Sequence, residues 1–386
     1  MWWRFTAAVL LASLIVPGCN RDRSSEITGP SNTVINITDS HFEEVIREAV
    51  LKPSGDLVLA DLEGITRLDA RNRQISDISG AEHMRSLVWA DLGQNTISDL
   101  GPLSGVISID TLILDENTIT DFSALGNLTA LRQLNLNFNS ISTVANLEAS
   151  YLLSDLRLGG NHNITNVAPL GGLVSLHVLQ LNDNQITDIQ PLSNLTQLRE
   201  LDLSNNALSS LAPLQLLQNL QQLDLAQTGT QSLTALNTLR HLTYLNLWEN
   251  EIESIEPLRE LTTLETLILT SNNITSVDPL AQSVNLTYLW IAHNSISSIS
   301  SLSSINSLRW LYANNNSIGD VQALRVQADF NIANLSSNSI VSLEPLAQNS
   351  GVGAGDTLFL YNNPLSDSSL FYFIPTLEAR GVVVER

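Results

Sequence analysis

The sequence repeats itself on a fixed period. Leucine or a close substitute recurs at Ile65, Leu87, Ile109, Leu131, Leu153, Leu176, Leu198, Leu220, Leu242, Leu264, Leu286, Leu308 and Phe330, in steps of 22 residues with a single step of 23. No other feature limits the fold so strongly, because a unit this short cannot build a core of its own and must bury its apolar residues against the units before and after it. Each unit reads approximately L-x-x-L-x-L-x-x-N-x-I-x-x-I-x-x-L-x-x-L, as in LRQLNLNFNSISTVANLEAS from Leu131. The x-L-x-L-x stretch alternates with the period of a strand, leucines on one side and variable residues on the other. Stacking such units predicts a parallel sheet with one strand per repeat.

The remaining positions agree. An asparagine closes the strand stretch at residues 95, 117, 139, 161, 184, 206, 250, 272, 294, 316, 338 and 363. Its amide both donates and accepts, so it satisfies backbone groups that the turn would otherwise bury unpaired. Prolines at 102, 169, 191, 213, 257, 279 and 345 recur in the returning segment, where a fixed φ suits the first position of a short helical turn. The pattern lapses in four places: Arg73 and Thr228–Gly229 take asparagine slots, residues 161–164 carry one extra residue, and residues 347–356 about three. A slight kink or bulge is expected at each. Both ends read as caps: Ser40 as N-cap with Glu43 behind it, ahead of a helix burying Phe42, Val45, Ile46 and Ala49, and at the other end a helix stopped by Gly381 with a short final strand.

This pattern resembles leucine-rich repeat proteins of the 22-residue, internalin-like class, with about fourteen units over residues 65–365. The closing residues, NPLS followed by IP and RGV, resemble the caps of bacterial envelope members of that group. The resemblance implies an α/β solenoid with one parallel strand per repeat, short helical or 3-10 turns on the convex side, a helical N-terminal cap over 35–64 and an α/β C-terminal cap over 366–386. It also implies protein ligands held in the concavity; with no GxGxxG, no P-loop and no Ser, His or Lys constellation beside the carboxylates, neither catalysis nor a cofactor is expected.

Charge and the N-terminus narrow the function. With a net charge of −21 and only 18 Lys and Arg in 386 residues, the surface repels nucleic acid and suits basic or uncharged partners. Residues 1–18 hold Arg4, an apolar run from Phe5 to Val16 and then Gly18, an export signal too short for a membrane span. The only cysteine comes immediately after, and VPGC resembles the bacterial lipobox, in which the cysteine is lipidated after cleavage. The other reading is a plain cleaved signal with an incidental Cys19. Residues 19–34 then form a polar tether, and the protein is expected in the cell envelope, anchored to a bacterial membrane.

Recognition chemistry falls on the variable strand slots. All four tryptophans beyond the signal, Trp89, Trp248, Trp290 and Trp310, occupy them, with Tyr244, Tyr288, Tyr312 and Tyr361. Leucine already fills the core slots, so these rings pave the concave face, where Trp and Tyr serve as binding hot spots. Trp248, Trp290 and Trp310 read as one contiguous platform. The competing reading is that the rings only stack along the sheet and stabilise strand pairing. Asp155, Glu200, Asp202 and Asp224 form an acidic stripe in the middle repeats. The Asp202–Asp224 pair invites comparison with glycosidase carboxylates, but an open sheet is expected to lack the enclosure that shifts a pKa. The six histidines show no metal-ligand spacing, and no metal site is expected. The favoured partner is a protein with basic and apolar surface, the alternative a glycan stacking on the same rings.

Overall fold

The computed structural model describes residues 32–328 and 330–386. The export signal, Cys19 and most of the tether lie outside the described residues. No helix among the described residues is long and apolar enough to cross a membrane.

Fifteen three-residue strands, from β1 (Arg67–Asp69) to β15 (Val383–Glu385), join in chain order into a single parallel sheet. The fourteen repeats of the sequence thus supply fourteen strands and the C-terminal cap the fifteenth. Inward leucines such as Leu134, Leu179, Leu245 and Leu311 are fully buried and form one continuous core along the solenoid. The convex side carries the short 3-10 turns, and all seven repeat prolines open a helical turn there.

The asparagines form a ladder. The Asn117 amide donates to Leu92 O and Leu114 O at 3.0 and 3.1 Å, and its oxygen accepts from Ile97 N at 2.9 Å, tying each turn to the one before. At the eighth slot Thr228 keeps half the function: its hydroxyl donates to Leu225 O at 2.9 Å, and Asn250 accepts from both Thr228 N and Thr230 N.

The expected kinks do not reach the sheet. The extra residue at 161–164 is absorbed by a left-handed turn at His162, and the strands on either side pair in plain register, Asp155 with Val178 and Arg157 with Gln180. The longer insertion is taken up on the convex side. There the turn widens into an α-helix, Glu344–Gln348, and Arg380 pins the end of this helix by donating to Ala347 O and Asn349 O at 2.5 and 3.0 Å. Strand pairing tolerates no slip on a buried face, so the cost of extra residues falls on the exposed side.

The first helix, α1, spans Ser40–Val50, and its N-cap is Asp39 rather than Ser40. One Asp39 oxygen accepts from His41 N and Phe42 N, and the other accepts from Ser76 N at 2.8 Å and Asp77 N at 3.2 Å, so the same carboxylate locks the cap to the first repeat. Burial would raise its pKa, but these donors win and hold it down to about 2. Glu43 pairs with Arg47 instead of completing a capping box. Phe42, Val45 and Ile46 are buried as expected, whereas Ala49 is exposed and Val50 packs in its place. Thr33 to Ile35 pair with Leu57 to Leu59, so the cap begins within the expected tether.

One convex row of the core is imperfect. Leu128, Leu173, Leu195, Leu217, Leu239 and Leu261 fill it, but Ser150 and Ser283 take the same slot, fully buried and with unpartnered hydroxyls. Filling the slot removes an orphaned polar group and restores apolar burial, so Ser283→Leu is expected to stabilise the protein by about 1–3 kcal/mol. The check is the urea midpoint; a fall would show that the neighbours have closed around the serine.

Candidate functional site

Each strand presents two side chains outward on the concave face, with a third two residues past the strand's last residue. The structure places the predicted residues there: Trp89 on β2 (Trp89–Asp91), Glu200 and Asp202 on β7 (Glu200–Asp202), Asp224 on β8 (Gln222–Asp224) and Tyr244 on β9 (Tyr244–Asn246). Tyr288 and Trp290 lie on β11 (Tyr288–Trp290), Trp310 and Tyr312 on β12 (Trp310–Tyr312). Trp248 and Tyr361 stand just beyond their strands.

Register decides which rings meet. Tyr288 is paired with Trp310 and Trp290 with Tyr312. The first two stack with centroids 4.1 Å apart and planes 4° from parallel; the second two meet edge to face at 5.2 Å. These four rings form the aromatic cluster, with a hollow of about 410 Å³ beside it lined by Tyr288, Trp310, Arg309 and Ser307. Trp248 is not part of it, contrary to the contiguous platform expected. Between β9 and β11 runs β10 (Thr266–Ile268), which brings Thr266 and Ile268 to this face instead of rings.

Two other aromatics are already occupied. The Arg67 guanidinium lies 3.3 Å over the Trp89 ring, a cation–π contact that covers its face. The Tyr361 hydroxyl donates to Glu385 at 2.6 Å. Trp290, by contrast, leaves 40% of its surface open, and Trp248 39%.

The acidic stripe is neither uniform nor unperturbed. Arg157 grips Asp155 through two bonds of 2.9 Å, so that carboxylate is neutralised. A trough of about 700 Å³ runs on from there, lined by Arg157, Glu200, Asp202, Asp224, Tyr244 and Glu265. Within it burial, and then the neighbouring Asp224, push Asp202 up to about 6, against hydrogen bonds from the Ser204 hydroxyl and N–H. Burial likewise raises Asp224, opposed by Ala226 N–H and the Asn246 amide, and pushes Tyr244 up to about 12. The open sheet therefore does shift a pKa, because the pair lies partly buried in this trough.

This shift couples stability to pH. A folded-state pKa above the ordinary 3.8 means the native state binds the Asp202 proton more tightly than the unfolded chain, so this contribution is full below about pH 4 and is lost as pH rises through about 6. Asp202→Asn is expected to stabilise the protein by on the order of 1–2 kcal/mol at pH 7.5, allowing for solvent screening, and not at all at pH 4. Thermal unfolding of both proteins at the two pH values checks this.

Sequence reasoning did not single out Arg67, Arg157 or Glu265. Arg67 and Arg157 occupy ordinary variable slots, and reading those slots for cations as well as for rings and acids would have found them. Glu265 precedes its strand and falls outside the three slots. Among the described residues no group of three or more His, Cys, Asp and Glu side chains is arranged to hold a metal ion.

Fold and face together define a leucine-rich repeat solenoid. Residues 153–304 match the family described as Leucine Rich repeats (2 copies), in five overlapping windows, 153–194, 174–216, 196–241, 240–282 and 262–304. The structure is similar to that of an internalin from Listeria monocytogenes, at 28% identity and a TM-score of 0.75 over 93% of this chain and 98% of that one. It also resembles a leucine-rich repeat protein of Leptospira interrogans, at 21% identity and a TM-score of 0.77 over 84% and 91% of the two chains. A plant peptide hormone receptor, solved in complex with its peptide, shares the fold at 18% identity, with a TM-score of 0.62 over 85% and 68%. No curated protein matches the sequence. The chain has the leucine-rich repeat fold, with an architecture similar to that of the internalin.

Proposed function

We propose that this protein is a non-enzymatic binding scaffold of the cell envelope, exported and lipid-anchored through Cys19, that captures a protein ligand on its concave face. The observation that carries this reading is the cluster of Tyr288, Trp290, Trp310 and Tyr312, large rings held in fixed mutual geometry on the sheet, with Tyr288 and Trp290 exposed and Trp310 and Tyr312 half-buried beside them. Such rings offer wide contact area at little entropic cost. The trough about Asp202 and Asp224 lies three to four strands from Tyr288, roughly 14–19 Å at ordinary strand spacing. A ligand with an apolar knob and a basic side chain that far apart engages both, and the cation relieves the strained ionisation of Asp202. One neighbour of this fold, the plant peptide hormone receptor, was solved with its peptide.

The parallel Tyr288–Trp310 stack also gives a second reading, sugar rings lying on the aromatic faces. Ionic strength separates the two. Binding to a basic protein weakens as salt rises from about 50 to about 500 mM, because the screening length shrinks to a few ångströms. Binding that ignores salt and is competed by oligosaccharide would replace the protein-ligand reading with the glycan one.

A further inference from the structure

The trough and the hollow are parts of one channel. The trough begins at Arg157 on β5 (Asp155–Arg157) and reaches β10, with Val178, Glu200, Gln222, Tyr244 and Thr266 in the first outward slot of successive strands. The hollow takes up the same slot on the next two strands with Tyr288 and Trp310. The channel therefore crosses the strands and follows the solenoid axis from β5 to β12, roughly 34 Å at ordinary strand spacing.

Charge divides the face along this channel. With three outward slots to a strand, ten of the 24 slots from β1 to β8 are charged, whereas none of the 18 from β9 to β14 (Thr357–Phe359) is. Toward the N-terminal end charges neutralise one another: Arg71 donates to Asp115 at 2.7 and 2.9 Å and to Asp91 at 3.4 Å, and Arg157 holds Asp155. The groups acting on Asp202 and Asp224 include no cation. Beyond Asp224 the channel lining holds two charges, Glu265 and Arg309, both exposed and one residue ahead of their strands.

Resting on the protein-ligand reading above, we propose that the channel takes an extended peptide segment of the partner, laid along the solenoid axis, with a Lys or Arg on the Asp202–Asp224 pair and an aromatic or bulky aliphatic side chain on the Tyr288–Trp310 stack. Charge complementarity fixes the first contact and apolar burial the second. Asp224 and Tyr288 are three strand spacings apart, about 14 Å, and Asp202 and Tyr288 four, about 19 Å. An extended chain rises about 3.3 Å per residue with successive side chains on opposite faces, so two of its side chains reach both places only at even separations, four residues (about 13 Å) or six (about 20 Å). An acidic side chain between them would face the uncharged slots of β9 and β10 beside Glu265, and is excluded.

A random library of linear peptides displayed on phage, selected on the full chain and on its Trp290→Ala/Trp310→Ala variant, tests this. Peptides specific to the wild type are expected to carry Lys or Arg four or six positions from Trp, Tyr, Phe or Leu, with no Asp or Glu between. A synthetic copy of the leading peptide is expected to lose affinity about tenfold when its basic residue moves by one position, and about tenfold on Asp202→Asn/Asp224→Asn. The one-position shift needs no altered protein, so misfolding of a variant cannot imitate it. Peptides that depend on Trp290 and Trp310 but lack the spacing, or ignore the shift, overturn the extended-segment inference and leave the cluster as the ligand site. Peptides held equally by the tryptophan variant overturn the reading of the cluster itself. A library that yields no binder overturns the inference and leaves a folded surface as the ligand.

Discussion

Replacing Asn250 with alanine is expected to destabilise the protein by about 3–5 kcal/mol. Asn250 is buried and serves five backbone groups. Its amide donates to Leu225 O at 2.8 Å, Leu247 O at 3.1 Å and Trp248 O at 3.3 Å, and its oxygen accepts from Thr228 N and Thr230 N. Alanine orphans several of these at once. The loss is sharper here than at an ordinary rung because Thr228 stands where the preceding repeat would carry its own asparagine, as Arg73 does before Asn95. Asn250→Asp keeps the acceptor but loses both donors and buries a charge, so it is expected to be at least as damaging and to recover in part at acidic pH. Urea unfolding reads both variants, and a cost below about 1 kcal/mol would mean the turn reorganises around the gap.

The second large effect concerns binding. Trp290→Ala and Trp310→Ala are each expected to cost about 2–4 kcal/mol of affinity for the ligand, the range of an aromatic hot spot, with the unfolding midpoint little changed. Trp89→Ala is expected to cost almost nothing in binding, because Arg67 already covers that ring. Trp248→Ala should fall between them, since the ring is open but stands apart from the four that touch. Titration of the captured ligand against each variant gives the order, and equal losses at Trp89 and Trp290 would contradict the assignment of the cluster.

The repeat itself was legible because leucine, asparagine and proline each answer to a local requirement repeated along the chain, and a lapse such as Thr228 stands out against its neighbours. The concave position of the tryptophans followed from period alone. What sequence could not supply was the outcome of cross-strand geometry. Trp248 and Trp290 look equivalent when the slots are compared one by one, yet a strand bearing Thr266 and Ile268 separates them. Arg67 and Trp89 are 22 residues apart and paired in register, but whether a guanidinium lies on a ring depends on side-chain rotamers. The ionisation of Asp202 depends on shielding summed over several repeats, and the Asp39 tie to Ser76 spans 37 residues. Each of these is a property of two or more units in contact, and no single unit encodes it.

Assignment of the four-ring cluster as the ligand site is tested most directly by capture from cell-envelope and extracellular extracts. The wild-type protein is run beside the Trp290→Ala/Trp310→Ala double variant, with circular dichroism establishing that both are folded. A protein retained by the wild type and lost by the variant is the predicted result. Identical captures by the two would contradict the assignment and make the cluster a stabilising stack between strands.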